Sequence, residues 1–436
     1  MGALEIGVIS VVAIVGLIYV GVYVPIALAA VSFVSIWLMR DNFVLAMNLL
    51  KVAVSDTVLE YTFATIPLFT FMGLVVSKAG LGTDIYAVMN DAFHRVKGGI
   101  GMATVGANAV FAAVTGSSIA SASVFTRVAV PEMLRFSYNP RFAVGVVAGS
   151  SVLGMIIPPS AMLIIYSFVA EQSIGQMFLA GIFPGLLLSV AYIAAIFAMG
   201  RLTPGFVGGA TDDEDHQPLT RTEIASKMAP IAVLILVVLG GIYTGWLSPV
   251  EAGAAGGAVA IIIALVRRRL TFANFWETLV DTGHISANIL FLITAASMYS
   301  RMLGMAALPN ELGNFLEAYQ LTFVGLMIVY VLLMLFLGTL IDTASIILIV
   351  VPLFLPIIEA AGLSPVWFGI VTVIGAEIGL LTPPLGISCF VIKSTLANPD
   401  ITLKDVFLGA LPFAAVMLVV LIIIIAFPII SLGILG

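Results

Sequence analysis

The chain has 436 residues, of which 61% are hydrophobic and only 9% are charged, with a formal net charge of −6 and a mean hydropathy of +1.21. A soluble domain is closer to half apolar and a quarter charged, so this composition excludes a water-soluble globule. Long apolar stretches recur along the chain, and each would cross a hydrocarbon core of about 30 Å. The composition therefore predicts an all-α polytopic membrane protein.

The apolar segments follow one another along the whole chain. They lie at 3–21, 24–39, 62–78, 98–115, 118–135, 141–170, 174–200, 228–246, 249–266, 284–303, 321–338, 342–360, 364–395 and 405–433. A polar run at 201–227 with four consecutive acids at 212–215 divides the series and indicates a solvated linker. The predicted organisation is a first unit at 1–200, a linker at 201–227 and a second unit at 228–436.

Several kinds of chemistry are excluded by what the sequence lacks. Its one cysteine, Cys389, excludes a disulfide framework or a cysteine metal cluster, and its three histidines are far apart. No G-x-x-x-x-G-K-[ST] motif occurs, so we expect no ATP hydrolysis through such a loop and no organic cofactor. The N-terminus lacks the basic region and cleavage site of a secretory signal, so we expect segment 3–21 to be a retained span.

The two halves of the chain resemble each other in three places, in the same order. IYVG at 18–21 recurs as IYTG at 242–245, GSSIASAS at 116–123 as GTLIDTAS at 338–345, and GMIIPP at 154–159 as GLLTPP at 379–384. The offsets are 224, 222 and 225 residues. Three ordered matches at a nearly constant offset predict an internal duplication.

Two pairs of segments predict re-entrant helical hairpins, at 98–135 and 321–360. Each pair meets at a short polar turn, which would lie at membrane depth. If the hairpins do not cross the bilayer, the first half has five spans: 3–21, 24–39, 62–78, 141–170 and 174–200. Because five is odd, the second half would run upside down relative to the first, as an inverted repeat.

The distribution of basic residues predicts the orientation. With the N-terminus outside, fourteen of the 17 Lys and Arg residues lie on the cytoplasmic side, and only Arg40, Lys51 and Arg301 remain outside. We therefore expect both termini outside and the 201–227 linker in the cytoplasm. The first hairpin would then enter from the cytoplasm and the second from outside.

Two long segments, 141–170 and 364–395, each contain a proline pair. Pro158-Pro159 and Pro383-Pro384 remove backbone donors, so each helix must break there. The freed carbonyl groups suit a cation and the new helix N-termini suit an anion. Interrupted helices at matched positions in two repeats indicate the binding site of a secondary transporter.

Oxygen-bearing side chains crowd both hairpin tips. They are Ser117, Ser118, Ser121 and Ser123 in the first tip and Thr339, Asp342, Thr343 and Ser345 in the second. Hydroxyl and carbonyl oxygens are hard ligands that suit an alkali cation. Two roles stay open, a cation site and the capping of the second hairpin helix, and one residue can do both.

Two acids lie at membrane depth. Burying an ionisable group there costs about 2.5–3.5 kcal/mol even on the lenient insertion scale, so Asp342 calls for a functional explanation. Glu377 is the second deep acid. For Glu377 we leave structural pairing and a direct function equally open.

At these residues the chain resembles the large membrane subunit, of the DctM type, of tripartite ATP-independent periplasmic (TRAP) transporters. The resemblance covers essentially the whole chain and rests on VPIA at 24–27, IPLF at 66–69, TGSS at 115–118, IIPPS at 156–160, LSPVEA at 247–252, Asp342 with Pro352 and Pro356, and IGLLTPPLG at 378–386. The family pattern often has an acid where Ser121 stands, so the ligand set of the first hairpin departs from it.

The resemblance implies an elevator-type sodium symporter in a bacterial inner membrane. It would import a small organic acid, such as a C4-dicarboxylate, delivered by a periplasmic substrate-binding protein of the DctP type. A small membrane subunit of the DctQ type would support it among the membrane lipids.

The implied sites fall into three groups. The first sodium site would use Ser117, Ser118, Ser121, Ser150 and Gly154. The second would use Gly338, Thr339, Asp342, Gly379, Thr382 and Pro383, and the substrate would lie near Gly116, Ser123, Pro158, Pro159, Thr343 and Pro384. Many ligands would be backbone carbonyls.

The sequence leaves one alternative function open and argues against another. A standalone sodium/dicarboxylate symporter of the divalent-anion type has the same broken-helix architecture and needs no binding protein. An intramembrane enzyme would need a His-Glu metal pair, a Gly-x-Ser-x-Gly elbow or paired deep aspartates, which the sequence lacks. We therefore expect a transporter, with no catalytic residues.

Overall fold

The computed structural model describes residues 2–209, 218–318, 322–384, 386–396 and 398–435. Throughout these ranges the regular elements are helices. The acidic stretch at 212–215 of the predicted linker and residue 321, where the second predicted hairpin begins, lie outside the described residues.

Twelve helices are described before residues 210–217, the last of them within the predicted linker at 201–227. They are α1 (Ala3–Tyr19), α2 (Val24–Arg40), α3 (Phe43–Leu59), α4 (Thr65–Lys78), α5 (Leu81–Phe93), α6 (Gly99–Thr115), α7 (Ser118–Arg135), α8 (Pro140–Ser151), α9 (Leu153–Ile156), α10 (Ala161–Val169), α11 (Ile174–Leu202) and α12 (Pro204–Val207). A 3₁₀ turn at Tyr61–Ala64 leads into α4.

Eleven helices are described after residues 210–217, and the first of them begins within the predicted linker. They are α13 (Arg221–Ile235), α14 (Gly241–Tyr243), α15 (Pro249–Val266), α16 (Phe272–Met305), α17 (Leu308–Ala318), α18 (Phe323–Gly338), α19 (Thr343–Ala360), α20 (Pro365–Leu380), α21 (Ile387–Thr395), α22 (Leu403–Ala426) and α23 (Ile429–Leu432). A π turn at Leu236–Gly240 joins α13 to α14.

The helices have the length and apolarity that the composition predicts. Within the described ranges, seven are long and apolar enough to cross a membrane. The helical pair Pro140–Ile156 and Ala161–Val169, bent by 44°, would make an eighth span. The all-α, polytopic fold is therefore confirmed.

Polar caps fix where the helices begin. Ser248 caps α15 by accepting a hydrogen bond from the Glu251 backbone N–H, and Glu251 accepts one from the Ser248 backbone in return. This reciprocal capping box satisfies two backbone donors that the first helical turn leaves free. Thr402 and Asp405 form the same arrangement at the start of α22.

Four helical regions were missed by the search for apolar runs. Helices α3, α5 and α17 were not predicted, and α16 begins at Phe272 rather than at residue 284. In α5 only one face is buried, at Leu81, Gly82, Ile85 and Tyr86. An amphipathic helix of this kind contains polar residues at every turn, so it never forms an uninterrupted apolar segment.

The helices form two packed bodies. We call α1–α4 and α13–α16 the scaffold, in which α15 packs along α4 and α2 packs along α16. We call α6–α11 and α18–α22 the hairpin body, in which α8 packs on α22. Helices α5 and α17 connect one body to the other along the chain.

Helices α8 and α22 of the hairpin body meet at two glycines. A Cβ atom on Gly145 of α8 would lie 2.1 Å from the carbonyl oxygen of Gly409 in α22. Only glycine permits this approach. The hairpin body is therefore packed backbone against backbone at its centre.

Candidate functional site

The first hairpin turns over a single glycine and rests on the first proline break. Helix α6 ends at Thr115, Gly116 takes a φ of +61°, and the side chain of Ser117 caps α7 by accepting from the Ala120 N–H at 3.3 Å. The backbone N–H of Ala161 donates to the Gly116 carbonyl at 3.4 Å. A Cβ on Gly116 would lie 2.1 Å from the Pro159 carbonyl oxygen, so this tip and Pro158-Pro159 are in direct contact.

The predicted residues of the first sodium site come together around this tip. A Cβ on Gly154 would lie 2.8 Å from the carbonyl carbon and oxygen of Ser117. Ser118 and Ser121 lie on the first turn of α7, both buried. The Ser121 hydroxyl has no hydrogen-bond partner among the residues that the structure describes. A buried hydroxyl without a partner is available to a ligand.

Ser150 lies deeper, on α8. Its hydroxyl donates to the Val146 carbonyl at 2.6 Å and accepts from the Asn108 side chain at 2.7 Å. Both its hydrogen and one lone pair are therefore used within the protein. Ser123, one turn further along α7 than the tip, is half-buried.

The second hairpin tip packs on the second interrupted helix through backbone contacts. A Cβ on Gly338 would lie 2.7 Å from the Cα of Gly379. The hydroxyl of Thr382 donates to the Gly379 carbonyl at 2.7 Å, and that of Thr339 to the Phe336 carbonyl at 2.8 Å. Pro383 and Pro384 are exposed at the break that follows. The predicted second group is therefore also assembled, from α18, the tip and α20.

Asp342 caps the second hairpin helix. Its Oδ2 accepts from the Ser345 backbone N–H at 3.1 Å, and its Oδ1 accepts from the Ser345 hydroxyl at 2.5 Å. The capping role left open by the sequence is therefore present. The carboxylate is only half-buried, so it also faces the space beside the tip.

The deep acid Glu377 is joined to this tip. It is fully buried on α20, and its Oε1 accepts from the Thr343 hydroxyl at 2.7 Å. Its Oε2 has no hydrogen-bond partner within the described part of the chain. Thr343, predicted to lie near the substrate, is itself buried and its hydroxyl proton is used in this bond.

Matched hydrogen bonds occur at equivalent positions within the two halves. The Asn108–Ser150 hydrogen bond in the first half corresponds to a 2.6 Å hydrogen bond between Tyr330 and Thr372 in the second. Each residue pair is related by an offset of 222. Sequence analysis missed these pairs, although the repeat offset relates them. Each bond joins the first helix of a hairpin to the interrupted helix of the same half, α6 to α8 and α18 to α20.

The interrupted helices also cross between halves. Helix α10, after the first proline break, packs against α19 of the second hairpin, and α21, after the second break, packs against α7 of the first. No hydrogen bond joins the two predicted sodium groups directly among the described residues. The two groups are therefore separate clusters held in one body.

A cavity of about 780 Å³ lies between the scaffold and the hairpin body. Its walls include Asp56, Glu60 and Arg301 on the scaffold side and Leu348 on α19. The hydroxyl of Thr62 donates to Glu60 and lowers the pKa of that carboxyl. Arg301 is paired with Asp56 at 2.6 Å. This cavity was not predicted, because its residues come from separate helices.

The donor types present suit an alkali cation. In the described ranges no three His, Cys, Asp or Glu side chains converge as transition-metal ligands do. The oxygens at the tips are hydroxyl, carboxylate and backbone carbonyl groups, which bind hard cations.

Comparison with known families places the chain. Residues 11–430 match the family described as the DctM component of the tripartite ATP-independent periplasmic transporter. The chain is 29% identical over 391 residues to the C4-dicarboxylate TRAP transporter large permease protein DctM of Pseudomonas aeruginosa, covering 88% of each. It is 26% identical to the sialic acid TRAP transporter large permease protein SiaM of Vibrio cholerae, covering 95% of this chain and 94% of that one.

One relative is a longer protein. The chain is 30% identical over 366 residues to the isethionate TRAP transporter permease protein DctMQ of Oleidesulfovibrio alaskensis, covering 84% of this chain and 56% of that one. Among solved structures, the YdaH transporter of Alcanivorax borkumensis has a similar fold, with a TM-score of 0.65, 13% identity and 89% of both chains covered.

The family match and the apolar helices together indicate a multi-pass protein of a bacterial inner membrane. Its relatives are named as large permease proteins of TRAP transporters. The chain therefore belongs to the DctM family, the large permease subunits of TRAP transporters.

Proposed function

We propose that the chain is the sodium-driven subunit of a TRAP symporter and that it moves a small organic acid inward by an elevator mechanism. The observation that carries the proposal is the matched pair of hairpin tips. Each tip packs backbone against backbone on an interrupted helix, at Gly116 with Pro159 and at Gly338 with Gly379.

Sodium coupling is supported by the oxygen atoms at these tips. A sodium ion needs several hard oxygen ligands, and the Ser121 hydroxyl at the first tip is buried without a hydrogen-bond partner in the described chain. Freed carbonyl groups at the proline breaks would supply the rest. The substrate would lie between the two tips, near Ser123 and Thr343, where helix N-termini favour a carboxylate.

The elevator movement is supported by the division into two bodies. Under the predicted topology, the second tip lies beside the cytoplasmic half of α1, because Leu340 and Ile341 line a small cavity with Val15 and Ile18. The 780 Å³ cavity lies instead at the outer ends of the scaffold helices. This arrangement fits an inward position of the hairpin body, with space outside into which it would rise.

The substrate class is proposed from the relatives. Those named above are described as transporters of C4-dicarboxylates, sialic acid and isethionate. All three carry an acidic group, so we propose a small organic acid. A binding protein would deliver it, and a separate small membrane subunit would support the scaffold.

Reconstitution into proteoliposomes tests the proposal. The large subunit, the small subunit and the cognate binding protein would be combined, with a labelled acid chosen because it stabilises that binding protein. We expect uptake with an inward sodium gradient and none when choline replaces sodium or when the binding protein is left out. ATP should have no effect. Full-rate uptake by the large subunit alone would favour the standalone symporter instead.

A further inference from the structure

Glu377 is a fully buried carboxyl group, and the described contacts of the hairpin body leave one of its oxygens without a partner. It has no exposed surface, and one hydrogen bond, from Thr343, reaches it. Its second oxygen has no hydrogen-bond partner in the described part of the chain. The ion pairs seen among the described residues involve other acids. A buried carboxyl group with so little compensation either stays protonated or ionises beside a cation, because an isolated buried charge is costly.

Glu377 lies next to the second hairpin tip. The backbone of Gly338 lies against both Ala376 and Gly379, the residues on either side of Glu377 along α20. Thr343, which donates to Glu377, directly follows Asp342. The tip therefore brings two carboxyl groups to one small region. A cation bound beside two acids relieves the repulsion between their negative charges.

The first half has no equivalent acid. The offset of 225 that relates Gly154 to Gly379 places Val152 opposite Glu377. Val152 is fully buried and apolar. The deep charge is therefore a feature of the second tip alone, and the symmetry of the two halves does not require it.

We propose that Glu377 supplies a negative charge to the cation site at the second hairpin tip when the ion is bound, and that it acts as a positioning residue through Thr343. This inference rests on the proposed sodium-coupled function. It gives the two sites different electrostatics: the second site compensates the ion's charge with carboxylates, while the first offers neutral oxygens. The second site should consequently bind sodium more tightly.

Sodium-dependent thermal stabilisation tests the role of Glu377. The large and small subunits would be purified together in detergent and titrated with NaCl, with choline chloride keeping the ionic strength constant. The unfolding temperature is measured, because an ion that binds the native state raises it. Glu377→Gln keeps an acceptor for Thr343 and removes the charge. We expect its half-maximal sodium concentration to rise at least about tenfold.

The sodium-free baseline separates an electrostatic role from a structural one. Without sodium, Glu377→Gln should unfold at the same temperature as the wild type or a higher one, because the amide keeps the acceptor for Thr343 and can carry no buried charge. A residue needed only for packing would lower that temperature. Glu377→Asp retains the charge and should keep a sodium response closer to the wild type than the Gln variant does.

A matched control lies on the same helix. Thr372→Val removes the hydrogen bond to Tyr330 without changing charge, and should leave the sodium response unchanged. If Glu377→Gln responds to sodium at the wild-type concentration, or Gln and Asp behave alike, the inference about Glu377 is wrong. If the wild type itself shows no sodium response, the proposed sodium coupling fails instead.

Discussion

Replacing Asp342 by asparagine separates a helix cap from a functional charge. Asp342 accepts the Ser345 backbone N–H at 3.1 Å and the Ser345 hydroxyl at 2.5 Å. In Asp342→Asn the amide oxygen still accepts the backbone N–H, and asparagine caps helices about as well as aspartate. The lost interaction with the helix dipole is worth about 0.3–1 kcal/mol. Folding and assembly with the small subunit should therefore change little.

The expected effect of Asp342→Asn on sodium affinity is larger. An ion about 6 Å from the carboxylate, at an effective dielectric constant of about 20, gains about 2.8 kcal/mol from it. Losing that energy weakens binding by about 100-fold. The half-buried position of Asp342 exposes it partly to solvent, so the loss should fall between about tenfold and 100-fold.

The assay is sodium-dependent uptake into proteoliposomes with the complete transporter. We expect Asp342→Asn to need a much higher sodium concentration for half-maximal uptake, at near-normal protein yield. Ser345→Ala is the matched control, since it removes the hydroxyl that donates to Asp342 but keeps the charge, and it should be mild. An unchanged sodium dependence in Asp342→Asn would mean that the residue only caps α19.

Further predictions follow from the backbone contacts and the topology. Gly379→Ala would place a Cβ 2.5 Å from the Gly338 Cα, so it should destabilise the protein by about 1–3 kcal/mol, measured as a lower unfolding temperature. Gly283→Ala, with open space around it, should be neutral or slightly stabilising. If both variants lowered the unfolding temperature equally, the argument from the Gly338–Gly379 contact would be wrong. In a Cys389→Ser background, Thr222→Cys and Thr322→Cys should react with impermeant thiol reagents from opposite sides of the membrane, and labelling from one side would contradict the inverted repeat.

The hairpins and the proline breaks were predictable because short-range chemistry marks them. Gly116 is needed where the chain adopts a positive φ, and the pair Pro158-Pro159 cannot continue a helix. The amphipathic helices α5 and α17 could not be found by the same route. Their burial depends on which tertiary neighbours cover one face, which the pattern of apolar runs does not report.

The site was predictable only in outline. Residue types placed Ser121 and Asp342 at the tips, and the helices that follow these tips, α7 and α19, pack against interrupted helices. The bond from Thr343 to Glu377 joins residues 34 positions apart, and the cavity beside Arg301 is lined by several helices. Such partners follow from three-dimensional packing, so a single sequence cannot supply them. Backbone carbonyl ligands are equally invisible to side-chain identity.

An elevator mechanism requires the hairpin body to move against the scaffold, and cross-linking the two bodies tests this most directly. Phe63 in the scaffold and Phe168 on α10 of the hairpin body meet with ring centroids 4.2 Å apart. Cysteines at both positions, in a Cys389→Ser background, would be joined by a short, cleavable thiol cross-linker, with each single cysteine as the control. We predict that cross-linking stops sodium-driven uptake and that cleaving the linker restores it. Transport at the full rate by the cross-linked protein would contradict an elevator movement.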